Sequence, residues 1–111
     1  MIERLPLEFK GTKDVSRYHF TQVYARKCSD GKFAYIYEQT EYIDDGQYYV
    51  AGYEVVKPKI VKKTKVEMID GKKHVTALDD LKEVYPKSEE WGLNAFTCKT
   101  LNRAMQKIAV F

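Results

Sequence analysis

The chain has 111 residues, a hydrophobic fraction of 44% and a formal net charge of +3. This length supports one ordinary hydrophobic core, so we predict a single domain over residues 1–111. The charge is too mild to identify a nucleic-acid-binding protein by itself. Every apolar run falls well short of the ~20 residues that a membrane-spanning helix requires, so we expect no membrane association.

The N-terminal stretch Met1–Phe9 has no basic region followed by an apolar run, so we expect no secretion signal. Cys28 and Cys98 lie far apart in the sequence, which favours reduced thiols in a cytoplasmic protein. His19 and His74 are also far apart, and a zinc site would need ligands at short, paired spacings. We therefore predict no metal and no other cofactor.

Three Asp-Gly pairs indicate β-hairpins, at residues 30–31, 45–46 and 70–71. Asp-Gly is typical of two-residue type I′ loops, because both positions take positive φ angles. The flanking segments are rich in aromatic and β-branched residues, as strands usually are. Pro58 lacks a backbone N–H group and should separate the third strand from the fourth. The predicted strands are Arg17–Cys28, Phe33–Tyr42, Gln47–Lys57, Lys59–Ile69 and Lys72–Thr76.

Two-residue loops at the first two hairpins define the pairing of the strands. Tyr24 would face Tyr37 and Ala25 would face Ile36, while Ile36 would also pair with Val55. Because side chains alternate between the two faces of a sheet, one face would be small and aliphatic and the other aromatic. The predicted aliphatic face has Val23, Ala25, Ala34, Ile36, Ala51 and Val55, with Tyr53 beside them. The predicted aromatic face has Tyr18, Phe20, Tyr24, Phe33, Tyr35, Tyr37, Tyr48, Val50 and Val56.

The C-terminal part should supply helices. We predict a helix over Ala77–Tyr85, a capped turn at Ser88–Gly92, a short strand at Asn94–Cys98 and a helix over Thr100–Phe111. Thr100 is a suitable N-cap, and an apolar stripe in the last helix should pack on the aliphatic face; its members are Leu101, Ala104, Met105 and Ile108.

These elements predict an α+β fold, in which an antiparallel β-meander of about five strands carries a C-terminal amphipathic helix on one face. Residues 1–16 would be a partly ordered N-terminal arm, in which Leu5, Leu7 and Phe9 alternate as in an edge strand. Residues 17–76 would form the sheet, and residues 77–111 the helical C-terminal segment.

One group of carboxylates could suggest acid–base or cation chemistry: Glu38, Glu41, Asp44 and Asp45. The spacing of a calcium-binding loop is absent, and an exposed, soluble hairpin explains these acids more simply. We therefore predict no catalytic residues and a protein that is not an enzyme.

The segment from residue 57 to residue 65 has five lysines and no acid. Lysines on an edge strand can simply discourage aggregation, and this is the favoured interpretation. They could also contact an acidic protein, or the phosphates of a single-stranded nucleic acid whose bases stack on tyrosines. The candidate binding residues are Lys57, Lys59, Lys62, Lys63, Lys65, Tyr24, Tyr35, Tyr37 and Tyr48.

The aromatic face has two interpretations. The segment from residue 77 to residue 91 could cover it, or it could stay open as a contact surface for another protein or for a second copy of the chain. We predict a small binding module that engages a protein partner through the aromatic face and the basic strand. The alternative is a single-stranded nucleic-acid-binding protein that uses the same lysines and surface tyrosines.

Both ends of the chain carry further motifs: Leu5–Gly11 (LPLEFKG), Tyr85–Gly92 (YPKSEEWG) and the pair Thr100-Leu101. In these motifs the chain resembles small uncharacterised proteins of phages and mobile elements of gut bacteria. The resemblance implies an accessory protein that acts inside a bacterial host cell, and it transfers no functional residue.

Overall fold

A computed structural model of the protein describes residues 2–11, 18–43 and 46–111. A 3₁₀ turn spans Ser88–Glu90, and one helix, α1, spans Leu101–Ile108. The strands of the described residues are β1 (Ile2–Glu3), β2 (Glu8–Lys10), β3 (Tyr18–Lys27), β4 (Phe33–Tyr42), β5 (Tyr48–Val56), β6 (Lys59–Ile69), β7 (Lys72–Val84) and β8 (Ala95–Cys98).

The main sheet has five antiparallel strands in the order β2-β3-β4-β5-β8, and α1 packs against β4, β5 and β8. The predicted α+β class, with a meander-like sheet and a C-terminal helix on one face, is confirmed. The predicted strands after Pro58 do not continue this sheet. They form a separate sheet in the order β1-β7-β6, while β8 takes the place beside β5.

The predicted helix over residues 77–85 is wrong, because these residues extend β7 to Val84. The spacing of Leu78, Leu81 and Val84 fits a helical face, but β6 pairs with Ala77 and with Leu81–Val84, on either side of an irregularity at residues 78–80. Leu81 pairs with Lys62 in this ladder. The hairpin itself has the predicted two-residue loop, since Ile69 pairs with Lys72 and both loop residues have positive φ angles.

The first hairpin is one residue longer than predicted. The amide of Cys28 donates to the carbonyl of Lys32, and Gly31, with φ of +84°, closes a three-residue loop. Tyr24 therefore pairs with Ile36 and lies on the helix side of the sheet, while Ala25 lies on the aromatic side. Both placements are opposite to the prediction.

A β-bulge between Gln22 and Tyr24 then returns the first half of β3 to the predicted faces. Phe20 is buried on the aromatic side as expected. Val23 was predicted to lie on the aliphatic face, but it lies at the bulge and is exposed.

The second hairpin keeps the predicted pairing of Ile36 with Val55 in the middle of the sheet. A bulge at Ala51 then changes the register, so Tyr48 pairs with Tyr42 and Val50 with Thr40. Tyr48 and Val50 consequently lie on the helix side and not on the predicted aromatic side. The predicted loop at residues 45–46 falls partly on Asp45, and both Asp44 and Asp45 lie outside the described residues.

The two faces of the central sheet form two separate cores. On the helix side, small and aliphatic strand residues pack against Ala104 and Ile108 of α1, and they include Ala34, Ile36 and Val55 as predicted. On the other side, an aromatic core contains Phe20, Tyr35 and Tyr37. It is covered by Tyr85 and Trp91, as one of our two interpretations expected, and also by the N-terminal residues Leu5 and Phe9.

A buried carboxylate joins the two sheets. Glu83 of β7 accepts hydrogen bonds from the Tyr35 hydroxyl at 2.6 Å and from the Leu5 amide at 2.9 Å, and it pairs with Arg4 at 3.1 Å. Burial, together with this carboxylate, raises the pKa of Tyr35, so the phenol remains a donor. The N-terminal arm is thus fixed between the sheets as far as the described residues extend, while residues 12–16 of that arm lie outside them.

The start of α1 agrees with the sequence, because the Thr100 side chain accepts a hydrogen bond from the Arg103 amide at 3.2 Å. The predicted apolar stripe is only half buried. Ala104 and Ile108 are inaccessible, whereas Leu101 is 43% exposed and Met105 is 37% exposed.

This difference gives a matched test of the helix packing. Ile108→Ala should lower the free energy of unfolding by about 2–5 kcal/mol, since it leaves a cavity in the aliphatic core. Met105→Ala, which changes a partly exposed position of the same helix, should cost less than about 1.5 kcal/mol. Urea unfolding of both variants measures the two values, and equal losses would contradict the packing.

Candidate functional site

The five candidate lysines do not form one basic surface. Lys59 and Lys62 lie an odd number of residues apart on β6, so their side chains point to opposite faces. Four of the five form ion pairs: Lys57 with Asp30 at 2.8 Å, Lys59 with Glu90 at 3.3 Å, Lys63 with Glu3 at 3.4 Å and Lys65 with Glu67 at 2.7 Å. The hydrogen bond from Lys57 lowers the pKa of Asp30, which keeps this pair charged.

The four candidate tyrosines are also separated. Tyr35 and Tyr37 are buried in the aromatic core, so they present no ring to a partner. Tyr24 is 38% exposed and Tyr48 is 65% exposed, and both lie on the helix side of the sheet. An exposed tyrosine surface exists, but it is on the face that the sequence predicted to be aliphatic.

The length of α1 explains why part of that face is open. The helix has eight residues, about 12 Å at 1.5 Å per residue. Strand β4 has ten residues, about 33 Å at 3.3 Å per residue. The helix therefore covers the end of the face near Ile36 and Val55. In the described part of the chain, no helix covers the other end of this face, where Tyr42 and Tyr48 lie.

A cleft of about 610 Å³ lies at this uncovered end, and we call it the distal cleft. Strands β2 and β3 place Glu8 opposite Thr21 and Lys10 opposite His19 along one side. Tyr42 and Tyr48 form the other side, with ring centroids 5.4 Å apart in an edge-to-face pair. Its lining among the described residues is Glu8, Lys10, Tyr18, His19, Thr21, Tyr42 and Tyr48.

The side chains that line the distal cleft are of kinds that can contact another molecule through both apolar and polar groups. Phenol rings supply broad apolar surface with a polar tip, and the carboxylate, ammonium and imidazole groups supply charge and hydrogen bonding. The His19 Nε2 atom lies 3.9 Å from a carboxylate oxygen of Glu8, so β2 and β3 hold these two polar groups side by side. The high tyrosine content of β4 and β5 is the one sequence signal for this site, and the bulge that turns Tyr48 to this face has no recognisable sequence pattern.

A second surface is a basic groove beside α1, with a volume of about 550 Å³. Lys99, Arg103 and Lys107 contribute three positive charges, and no carboxylate is among its lining residues in the described chain. Lys107 also lies 4.5 Å from the centre of the Phe96 ring. The i, i+4 spacing of Arg103 and Lys107 was visible in the sequence, but the contribution of Lys99 depends on how β8 packs against the helix.

Comparison with protein-family models, with curated proteins and with solved structures found no match to this chain. In the described part of the chain, no helix is long and apolar enough to cross a membrane. The same residues contain no group of three or more His, Cys, Asp or Glu side chains that could hold a metal ion. Cys28 and Cys98 are buried and are not joined in a disulfide.

Proposed function

We propose that this protein is a non-enzymatic binding module that engages a protein partner through the distal cleft. The observation that supports this most strongly is the exposed pair Tyr42 and Tyr48 on the half of the sheet that α1 is too short to cover. Large apolar surface left open in this way is typical of interaction sites.

Tyrosine is well suited to such a role. Its ring gives a large contact area with only two side-chain torsions to fix, so binding loses little conformational entropy. Tyrosines are also enriched among the residues that contribute most to protein interfaces. Glu8, Lys10 and His19 surround the rings with polar groups, an arrangement that resembles the polar rim of a protein interface.

The partner belongs, in this proposal, to a bacterial host or to a phage or mobile element within its cytoplasm. The basis for this is the resemblance at the two ends of the chain. The basic strand of residues 57–65 has a smaller role than the sequence suggested, because most of its lysines already pair with carboxylates of the same chain. A polyanion would have to compete with those ion pairs.

The basic groove favours a second candidate function, the binding of an anionic partner such as a single-stranded nucleic acid. Three cations in one groove without a lining carboxylate repel one another, and phosphates would relieve that repulsion. Stacking bases would require exposed rings nearby, and Phe96 is partly buried beneath Lys107. This function therefore ranks below protein binding.

The proposed interface can be tested by affinity capture from lysates of gut bacteria. The double variant Tyr42→Ser/Tyr48→Ser should reduce recovery of the partner at least about tenfold, because hot-spot tyrosines are lost. Leu93→Ser/Met68→Ser removes comparable exposed apolar groups elsewhere and should leave recovery unchanged. Equal recovery by all three proteins, or no specific protein bound by the wild type, would contradict the proposal.

Oligonucleotide titration separates the second candidate from the first. If nucleic acid binds the basic groove, fluorescence anisotropy should show an affinity that falls steeply between low and high salt. Arg103→Glu/Lys107→Glu should abolish this binding, whereas Lys62→Glu/Lys63→Glu should change it little. An absence of binding at low salt would eliminate this function.

A further inference from the structure

A third cleft, of about 240 Å³, opens on the aromatic side of the sheet, and we call it the aromatic cleft. Four rings line it among the described residues, and they come from β2, from β3 and from the segment after β7: Phe9, Phe20, Tyr85 and Trp91. Phe9 stacks on Phe20 at 4.8 Å and meets Tyr85 edge-to-face at 5.3 Å. The Trp91 indole is held in place by a hydrogen bond of 2.9 Å from its Nε1 to the Thr97 hydroxyl.

One carboxylate lies among these rings. Glu54 is in the middle of β5, where its neighbours across the sheet are Tyr37 and Thr97. Tyr85 donates a hydrogen bond to it, and no ion pair joins Glu54 to a cationic side chain of the described residues.

This arrangement is costly without a ligand. Glu54 is only partly accessible, and burial raises the pKa of its carboxyl group. A carboxylate removed from water without a positive partner loses solvation free energy that one hydrogen bond does not restore.

The nearest lysine along the cleft does not neutralise this carboxylate. Phe9 points to the aromatic side, so the neighbouring side chain, Lys10, points to the opposite face by strand alternation. There Lys10 lines the distal cleft beside His19. Lys10 also borders the aromatic cleft, whose other lining residues are Gly11, Glu54 and the four aromatic residues.

We propose that the aromatic cleft binds an organic cation, specifically a methylated or quaternary ammonium group. Such a group has a positive charge but little hydration, so ring faces attract it electrostatically while its methyl groups pack against them. The Glu54 carboxylate supplies the countercharge. The cleft lies on the opposite side of the sheet from the distal cleft, so this ligand is independent of the proposed protein partner.

The chain provides its own probe for this test, because Trp91 is its only tryptophan. Titration with choline at constant ionic strength should give a saturable change in tryptophan emission. The uncharged analogue 3,3-dimethylbutan-1-ol has the same shape and should bind at least about tenfold more weakly. Equal responses to the two compounds, or no saturable response to choline, would overturn the proposal without any variant being needed.

Two variants test whether Glu54 supplies the negative charge that binds the cation. Glu54→Gln keeps the shape and an acceptor for Tyr85, and it should weaken choline binding at least about tenfold while thermal unfolding remains cooperative. Glu89→Gln, at an exposed position of the neighbouring 3₁₀ turn, should bind choline like the wild type. Unchanged affinity in a folded Glu54→Gln variant would contradict the role of the carboxylate.

The same ammonium chemistry occurs in free metabolites and in methylated lysine side chains. A short peptide with one trimethyllysine, titrated beside choline, distinguishes these sources. Tighter binding of the peptide would assign the cleft to a modified protein, and tighter binding of choline would assign it to a small molecule. Both results support a cation site.

Discussion

The structure depends on a mismatch in length between its only described helix and the sheet beneath it. An eight-residue helix buries one end of a face built from strands of nine and ten residues. At that end, Ile108 and Ala104 close an aliphatic core over Ile36 and Val55. At the other end the strands continue beyond the helix, and the side chains there face the distal cleft. The same constraint therefore produces both the stable core and the exposed surface.

The opposite side of the sheet has the same width and is covered in a different way. Leu5 and Phe9 from the N-terminal segment, with Tyr85 and Trp91 from the segment after β7, close over the aromatic core. Glu83 stabilises this closure, because its carboxylate joins Tyr35 of the main sheet to the N-terminal backbone. A two-stranded ribbon is only marginally stable in water. The pairing of β1 with β7 and the bonds of Glu83 therefore anchor the base of the β6–β7 ribbon, whose far end is exposed.

Much of the fold follows from local sequence signals. The bounds of β4 and β6, the turn at Asp70-Gly71 and the Thr100 cap agree with the predictions because each depends on neighbouring residues alone. The β-bulges do not follow from such signals. The segment around Asp30-Gly31 satisfies a loop of two or three residues almost equally well, and only the packing of the whole sheet selects between them. Gly52 follows the bulge at Ala51, and a Cβ at this position would lie 3.1 Å from the Cys98 carbonyl oxygen. This reason for a glycine becomes apparent only when β8 is placed beside β5.

The candidate site was harder to predict for the same reason. At Tyr24 and Tyr48 the pairing of the strands differs by one residue from the prediction, so both side chains lie on the helix side. Tyr35 and Tyr37 lie on their predicted face and are buried. The lysines of residues 57–65 have no carboxylate within that segment, and two of their ion-pair partners, Glu3 and Asp30, come from distant parts of the chain. Hydrophobic pattern therefore predicted most of the strands, although not the second half of β7, but contacts between distant segments decided which of their residues remain exposed.

Nitration by tetranitromethane, followed by peptide mass spectrometry, measures which tyrosines are exposed in the folded protein. We expect Tyr48 and Tyr42, which are 65% and 53% exposed, to react first. Tyr35 and Tyr37 should stay unmodified until the protein is unfolded by denaturant. Modification of Tyr35 or Tyr37 in the folded protein as rapidly as Tyr48 would contradict the assignment of a closed aromatic core and an open distal cleft.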